Sequence, residues 1–225
     1  MAVDRLEKEI LQVFTLDGQP LYCTPRKLYY EMLLREHEQG RCIETQVQGV
    51  RLLLLHPDDG RVWLQRRSRQ KKVNPGLYDK SIGGHVSYDP AAQVSEDFDV
   101  ALVDECMDEM GIAARVVGRA DLRTEAEKEN LGAVAVCAPV EEISPWYIGR
   151  RFSTPNGLVR VQQPWWNRFY VGYYAGGVEF RDGEAEGASL EHLQDLDVLV
   201  VNDPELYTED LSFMTQRFRE VLVPL

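Results

Sequence analysis

The sequence has few cysteines and no long apolar run. The four cysteines are Cys23, Cys42, Cys106 and Cys137. Because none of them forms a C-x-x-C pair, neither a disulfide framework nor a zinc site is expected, and the spacing favours buried thiols in a reducing compartment. No apolar run approaches the roughly 20 residues that cross a bilayer, and residues 1–10 lack the apolar core of a secretory signal. We therefore expect a cytoplasmic protein that does not enter a membrane.

Positive charge is scarce as well. Lysine and arginine total 25 against 37 aspartates and glutamates, so the formal net charge is −12. This balance argues against nonspecific binding to nucleic acid or to an anionic membrane. Two segments reverse it, because residues 65–72 carry five basic residues without an acid and residues 143–178 contain no acid at all. Either these basic residues pair with surface acids elsewhere, or they neutralise the phosphate oxygens of a small ligand.

Hydrophobic periodicity and turn residues predict one globular unit with an N-terminal addition. Asp17-Gly18 between two apolar runs is a strong hairpin signal, and a short predicted helix over residues 26–40 follows it. We expect residues 1–45 to form this hairpin and helix, packed on a single unit of residues 46–225. Further strands are predicted over residues 47–55, 61–66, 78–86, 115–119, 132–139 and 168–175, and further helices over residues 96–110, 190–196 and 209–222. This mixture predicts an α+β protein, an α/β/α sandwich with a mixed sheet.

Residues 83–112 carry the strongest functional signal. A strand that ends in Gly83-Gly84 leads into an amphipathic helix with Glu105, Asp108 and Glu109 on about one turn. Residues three and four apart are neighbours on a helix, and crowded carboxylates repel one another unless a cation lies among them. Oxygen-only clusters suit Mg²⁺, which binds a few carboxylates together with substrate phosphates. The alternative is a solvated face on an acidic protein, but the combined spacing favours the metal site.

The same residues resemble the Nudix box, G-x5-E-x7-R-E-U-x-E-E-x-G-U, in which U is a bulky aliphatic residue. Asp108 and Glu109 match its E-E pair, Glu105 matches the glutamate of R-E, and Glu96 matches the first glutamate. Two departures occur, because Asp104 replaces the arginine and eleven residues rather than five separate the glycine pair from Glu96. The resemblance implies a Nudix-like fold and hydrolysis of a diphosphate linkage in a nucleoside diphosphate derivative or a related small phosphorylated metabolite. It also implies Mg²⁺, or alternatively Mn²⁺, as the cofactor.

A longer segment resembles the isopentenyl-diphosphate-isomerase-like branch of Nudix proteins. Residues 66–85, RRSRQKKVNPGLYDKSIGGH, are similar to the K-K-x-x-P-G-x-[WY] run and the C-G-H-P loop of that branch. The isomerase chemistry requires a cysteine at the position of Gly83 and paired carboxylates within residues 143–178, and both are missing. Because Glu105 and Asp108 are retained, the resemblance favours hydrolysis over isomerisation.

The resemblance implies a role for each candidate residue. The catalytic candidates are Glu109, Glu105, Glu186 and Glu184, the metal candidates are Glu105, Glu109, Asp108 and Gly84, and the substrate-binding candidates are Arg67, Lys72, Arg66 and His85. Asp108 would bind through water, because its side chain is one methylene shorter than that of glutamate. Gly84 would offer its backbone carbonyl, which a glycine leaves accessible. The general base is left open between Glu109, Glu184 and Glu186, because reach to a water cannot be inferred from sequence.

Several alternatives remain open. His85 either touches metal or phosphate or packs beneath the loop, and packing is favoured. Trp165, Trp166, Phe169 and Tyr170 either stack a nucleobase or fill the core, and the core is favoured. The chain is either a hydrolase or a Nudix-fold binding or regulatory protein with little turnover, and residual isomerase activity is a third hypothesis. The sequence carries no signal for the identity of the substrate or for the oligomeric state.

Overall fold

A mixed sheet forms the centre of the fold. The computed structural model describes residues 9–180, 183 and 185–225. The strands in this part of the chain are β1 (Ile10–Thr15), β2 (Pro20–Pro25), β3 (Thr45–Leu55), β4 (Val62–Arg67), β5 (Tyr78–Asp79), β6 (Ile82–His85), β7 (Tyr88–Asp89), β8 (Val94–Ser95), β9 (Ala113–Val116), β10 (Val134–Thr154), β11 (Gly157–Tyr173) and β12 (Ala185–Glu191). Ten of them form the sheet, with the main path β12-β4-β3-β11-β10-β9, and β7 and β8 form a separate ribbon. β3 is parallel to β11 and antiparallel to β1, β4 and β6.

Helices cover both faces of this sheet. They are α1 (Arg26–Glu38), α2 (Phe98–Met110), α3 (Leu122–Lys128), α4 (Leu193–Asn202) and α5 (Glu209–Arg217). Because side chains alternate along a strand, β3 sends Val50, Leu52 and Leu54 to a core shared with α2. It sends Leu53 and Leu55 to a second core shared with the other four helices. The predicted α+β class, with a mixed sheet between helical layers, is confirmed.

The described helices include none that is both long enough and apolar enough to cross a bilayer.

The N-terminal hairpin extends the sheet. β1 and β2 pair as predicted around Gly18, whose positive φ of 84° favours glycine,. β1 also pairs with β3, with Val13 opposite Val47. The hairpin thus shares hydrogen bonds with the central strand. The proposed division into residues 1–45 and 46–225 stays a prediction.

Strand β6 lies in a gap between two diverging strands. It pairs with β3 from Gly49 opposite His85 to Leu52 opposite Ile82. β4 meets β3 only where Leu55 lies opposite Val62, and then pairs with β5. The backbone N–H groups of β6 that face this gap are therefore available to side chains, and the candidate functional site lies there.

The largest difference from the predicted elements lies in residues 134–173. The predicted strands 132–139 and 168–175 are parts of β10 and β11, which form one long antiparallel hairpin. Pro139 and Pro145 interrupt the alternation of apolar and polar residues in the sequence. In the sheet, the register shifts next to each proline, and the resulting bulges accommodate them,. Predicted strand 78–86 divides into β5 and β6, and helix α3 was not predicted. The insertion after the glycine pair forms the β7–β8 ribbon.

Candidate active site

Both ends of helix α2 are fixed, and this holds its acidic residues in place beside strand β6. The Asp97 carboxylate caps the N-terminus by accepting a hydrogen bond from the Asp99 N–H at 2.7 Å. Gly111 ends the helix with φ at 67°, a left-handed conformation that favours glycine,. Leu102 and Cys106 are buried against the sheet. The acidic stripe of the same helix is consequently held beside β6.

Two carboxylates of α2 contact the glycine pair. Glu109 is only 4% exposed, and its Oε2 accepts hydrogen bonds from the Gly83 N–H and from Gln65 Nε2, both at 3.2 Å. Glu105, one turn earlier, lies over Gly84 so closely that a Cβ added to this glycine would overlap the carboxylate. The absence of side chains at both glycines is what allows the two acids to approach the strand backbone.

This arrangement fits a hard divalent cation. Glu105 and Glu109 approach adjacent residues of β6, and Asp108 is half-buried on the same turn. Within the described ranges, no group of three or more His, Cys, Asp or Glu side chains is already assembled around a metal position. Mg²⁺ usually binds one or two carboxylates and takes its other ligands from substrate phosphates and water. The two carboxylates beside the glycine pair would supply the protein's ligands in such a site.

The remaining predicted acids and the glycine carbonyl have other contacts. Glu186 is exposed on β12, and its carboxylate accepts a hydrogen bond from the Arg69 N–H at 2.8 Å. Glu184 lies outside the described residues. The Gly84 carbonyl accepts a hydrogen bond from Arg51 Nη1 at 3.1 Å. The identity of the general base and the metal contact of Gly84 therefore stay predictions.

Two of the predicted phosphate-binding arginines contact residues that follow the basic segment. Arg67 donates to Asp79 Oδ2 at 3.0 Å and to the Val73 carbonyl at 3.1 and 3.2 Å, which closes the loop after β4. The Arg66 guanidinium lies 5.7 Å from the centroid of the Tyr78 ring, a cation–π contact,. These contacts fix both side chains beside β5, and their contact with phosphate stays a prediction.

The loop after β4 is fastened to the long hairpin. The Lys72 carbonyl accepts a hydrogen bond from the Ser153 N–H at 2.8 Å, and the Asn74 N–H donates to the Arg151 carbonyl at 2.7 Å. The Lys72 residue is exposed. Backbone pairing thus holds the loop in place while this lysine faces solvent, as a phosphate contact would require.

His85 is enclosed by aromatic residues. It is 4% exposed, its Nε2 lies 3.1 Å from the Tyr30 hydroxyl, and its ring centroid lies 5.0 Å from that of Trp165. Burial, reinforced by the positive charges of Arg26 and Arg150, lowers the pKa of His85 well below its ordinary value. A neutral, buried imidazole agrees with the packing interpretation, and a contact with metal or phosphate stays untested.

The aromatic residues of β11 fill the core. Trp165, Phe169 and Tyr170 are fully buried, so the packing interpretation is confirmed for them. Trp166 is partly buried, and its indole N–H donates to Glu142 Oε1 at 2.6 Å. Cys106 is also fully buried. A hydrogen bond with Cys137 and burial raise the pKa of its thiol, as expected for a packing residue.

A second charged group lies on the opposite face of β6 and was not predicted from the sequence. We call it the cationic cluster, and its members are Arg51, Arg67, Asp79, Lys80, Arg150 and Asp210. Successive residues of a strand face opposite sides. Accordingly, a Cβ at Gly84 would meet Glu105, whereas a Cβ at Gly83 would meet Lys80 and Arg51. The sequence feature that could have indicated this cluster is Arg51, a single arginine within the apolar run of β3, VQGVRLLLL.

Ion pairs connect the members of the cationic cluster. Asp210 Oδ2 lies 2.7 Å from Arg51 Nε, 3.2 Å from Lys80 Nζ and 3.6 Å from Arg150 Nη2. Lys80 Nζ also lies 3.0 Å from Asp79 Oδ1. Burial alone would raise the pKa of Asp210, but the positive charges of Lys80, Arg150 and Arg51 outweigh it and hold this pKa well below its ordinary value. The carboxylate is therefore ionised at neutral pH.

Comparison with known proteins identifies the fold. No family model and no curated protein sequence matches the chain. The solved structure of DR0079 from Deinococcus radiodurans superposes with a TM-score of 0.60 at 17% identity, covering 93% of this chain and 98% of that one. This likeness shows a shared fold.

Other solved structures superpose less well. MutT from Methanosarcina mazei Go1 has a TM-score of 0.47 at 16% identity, over 77% of this chain and 93% of that one. A NUDIX hydrolase from Alicyclobacillus acidocaldarius has a TM-score of 0.47 at 14% identity, over 75% and 89% of the two chains. Superpositions at this level do not assign an activity.

Proposed function

We propose that this protein is a Nudix-type hydrolase that cleaves the diphosphate linkage of a nucleoside diphosphate derivative or a related small phosphorylated metabolite, with Mg²⁺ or Mn²⁺ as cofactor. The observation that supports the proposal is the close approach of Glu105 and Glu109 to Gly83-Gly84, because these are residues that the resemblance to the box singles out. If these acids formed only a solvent-exposed face, their carboxylates would point into water. They would then not require two glycines in the neighbouring strand.

Each group of residues has a separate task. A divalent ion held here supplies neutralisation of the diphosphate charge and a more acidic water. Gly83 and Gln65 fix Glu109 through two hydrogen bonds, so that the carboxylate is already oriented before a ligand arrives,. Arg66 lies near the end of β4 and Lys72 lies on the fastened loop that follows, and both would contact the outer phosphate oxygens,.

The reaction itself is a displacement at phosphorus. The oxygen of a water forms a bond to one phosphorus, and the bridging P–O bond breaks with its electron pair on the departing phosphate. One proton of the water passes to the general base, for which Glu109 and Glu186 are candidates among the described residues. The products are a monophosphate and a phosphorylated second fragment.

The decisive experiment is hydrolysis of a panel of nucleoside diphosphate derivatives in water labelled with ¹⁸O. We expect release of monophosphate that requires Mg²⁺ or Mn²⁺ and stops with EDTA, with one ¹⁸O in one of the two products. A full panel without turnover in either metal would contradict hydrolysis.

One observation favours a second function. Asp104 stands where the box has arginine, and it is exposed on α2 rather than paired to the glycine loop. If the chain has lost turnover, it acts as a binding or regulatory protein for the same ligands. Tight binding of one compound in calorimetry, without product formation, would identify this case.

Isomerase activity is not part of the proposal. A Cβ at Gly83 would overlap the side chain of Lys80, so the position that the isomerase chemistry assigns to cysteine has no room for one without rearrangement. An assay with isopentenyl diphosphate is expected to give no dimethylallyl product.

A further inference from the structure

The cationic cluster has features of a ligand site that an internal salt bridge does not need. Its side chains converge on Trp165, because the guanidinium carbons of Arg51 and Arg150 each lie 4.5 Å from the centroid of this indole ring system. Both arginines also approach the same oxygen of Asp210, at 2.7 and 3.6 Å. Two arginines therefore share one aromatic ring and one carboxylate oxygen.

Neighbouring polar groups converge on the same place. Position 49 of β3 is glycine, and a Cβ there would lie 2.8 Å from both Asn167 Oδ1 and Trp165 Cζ3. The His85 ring centroid lies 5.0 Å from that of Trp165. Asn167 and Trp165 are fully buried. An amide and an imidazole therefore lie near the indole ring that the two arginines contact.

Several donors in this group have no hydrogen-bond partner. In the part of the chain that the structure describes, the unpartnered buried nitrogens here are Arg51 Nη2, Arg150 Nε, Trp165 Nε1 and Asn167 Nδ2, whereas His85 Nδ1 lies 3.5 Å from the Glu9 carboxylate. Buried polar atoms are almost always hydrogen-bonded, and an orphaned one calls for an explanation. Four such donors near a single indole ring indicate a missing acceptor.

The charges in the cluster point to the class of that acceptor. Three cationic side chains, those of Arg51, Lys80 and Arg150, lie within 3.6 Å of the single oxygen Oδ2 of Asp210. Buried charges are costly unless they are paired, so an anionic partner with several acceptor oxygens would complete the group. Asp210 Oδ1 also has no partner in the described residues, and it would accept a hydrogen bond from an O–H on the ligand.

We propose that the cationic cluster is an anion-binding site for a phosphoryl group. Arg51, Arg150 and Lys80 provide the charge, and Trp165 and Asn167 provide neutral donors. The site lies across β6 from the carboxylate pair and does not rest on hydrolysis. Its outer side is formed by Arg150, whose side chain keeps 11% exposure, and by the Tyr30 hydroxyl, 3.5 Å from Arg150 Nη1.

The test uses inorganic phosphate as the probe and the full chain in EDTA, so that the carboxylate pair holds no metal. Isothermal titration calorimetry is expected to show one phosphate per chain. Arg150→Gln is expected to weaken binding by about tenfold or more, because a charge-assisted contact is lost. Arg160→Gln removes the same charge from an exposed arginine of the same hairpin and is expected to change binding by less than about twofold.

Two further measurements test the proposal even if Arg150→Gln is unstable. Acetate, with one charge, is expected to bind far more weakly than phosphate to the unaltered protein. Asn167→Leu, close in volume, is expected to lose the thermal stabilisation that phosphate confers. Absence of phosphate binding, equal binding of acetate, or undiminished binding to Arg150→Gln would each overturn the assignment.

Discussion

The two faces of β6 at Gly83-Gly84 carry opposite charges that are assembled in different ways. On one face, the carboxylates of Glu105 and Glu109 come from a single turn of α2. On the other face, the cationic cluster draws its members from β3, β4, β5, β10, α5 and the residue after β5. The first group is local in sequence, and the second exists only after folding. The comparison separates charges that we propose to serve a reaction from charges whose first effect is on stability.

The strongest test of this separation is to remove one charge from the buried side. Asp210→Asn keeps the shape but leaves Arg51, Lys80 and Arg150 without their shared carboxylate. We expect the free energy of unfolding to fall by about 3–5 kcal/mol, the usual cost of breaking a buried ion pair. Urea denaturation measures this quantity. Glu209→Gln, which affects an exposed pair with Arg160, is the matched control and should cost at most about 1 kcal/mol,.

The same carboxylate predicts how stability depends on pH. The pKa of Asp210 is depressed in the folded state below its ordinary value of 3.8. Its stabilising contribution is therefore complete above the unfolded pKa and is lost as the pH falls toward the folded one. Between about pH 5 and about pH 3 the unaltered protein should lose more free energy of unfolding than Asp210→Asn does. Parallel curves for the two proteins would show that another group controls acid unfolding.

On the carboxylate face the expected loss is in rate. Glu109→Gln keeps an oxygen that can accept from the Gly83 N–H but removes the negative charge. We expect hydrolysis to slow by at least about a hundredfold, or ~3 kcal/mol in the barrier, with far less change in stability. Glu127→Gln on the exposed side of α3 is the control. Nearly unaltered turnover in Glu109→Gln would place the metal elsewhere.

The sequence predicted the parts of the fold and site that depend on short spacings. The hairpin at Gly18, helix α2 and the approach of Glu105 and Glu109 to the glycine pair all follow from residues within a few turns of one another. The β10–β11 hairpin was missed because its prolines interrupt the alternation, and bulges repair the register only in the folded sheet,.

The cationic cluster was missed for a different reason. Arg51 and Asp210 are 159 residues apart, and no sequence spacing relates them. Arg67 was assigned to phosphate from its place in a basic run, whereas its hydrogen bonds show that it also pairs with Asp79. A basic run identifies the sign of the charge near a site, but the partner of each arginine is decided by tertiary contacts.

A smaller effect is expected from filling the space at the glycine pair. Gly84→Ala places a methyl group where the Glu105 carboxylate lies, so the acid must move. Such overpacking costs about 1–3 kcal/mol, and we expect a loss of Mg²⁺-dependent rate of roughly fivefold to a hundredfold. Gly187→Ala adds the same methyl group where no atom lies within 4 Å. If both variants hydrolyse equally well, the contact between Glu105 and Gly84 has no part in catalysis.

The smallest effect should come from the residue that departs from the box. Asp104 is exposed and stands four residues before Asp108, so the two acids repel each other on one face of α2,. Asp104→Arg converts this repulsion into attraction, and we expect α2 to gain about 0.5 kcal/mol in urea denaturation. The gain should disappear when Asp108 is also changed to Asn. The rate measured on the same variant then sharpens the comparison between the faces. A faster enzyme would show that the aspartate weakens the carboxylate site, and a slower one would show that it supports that site.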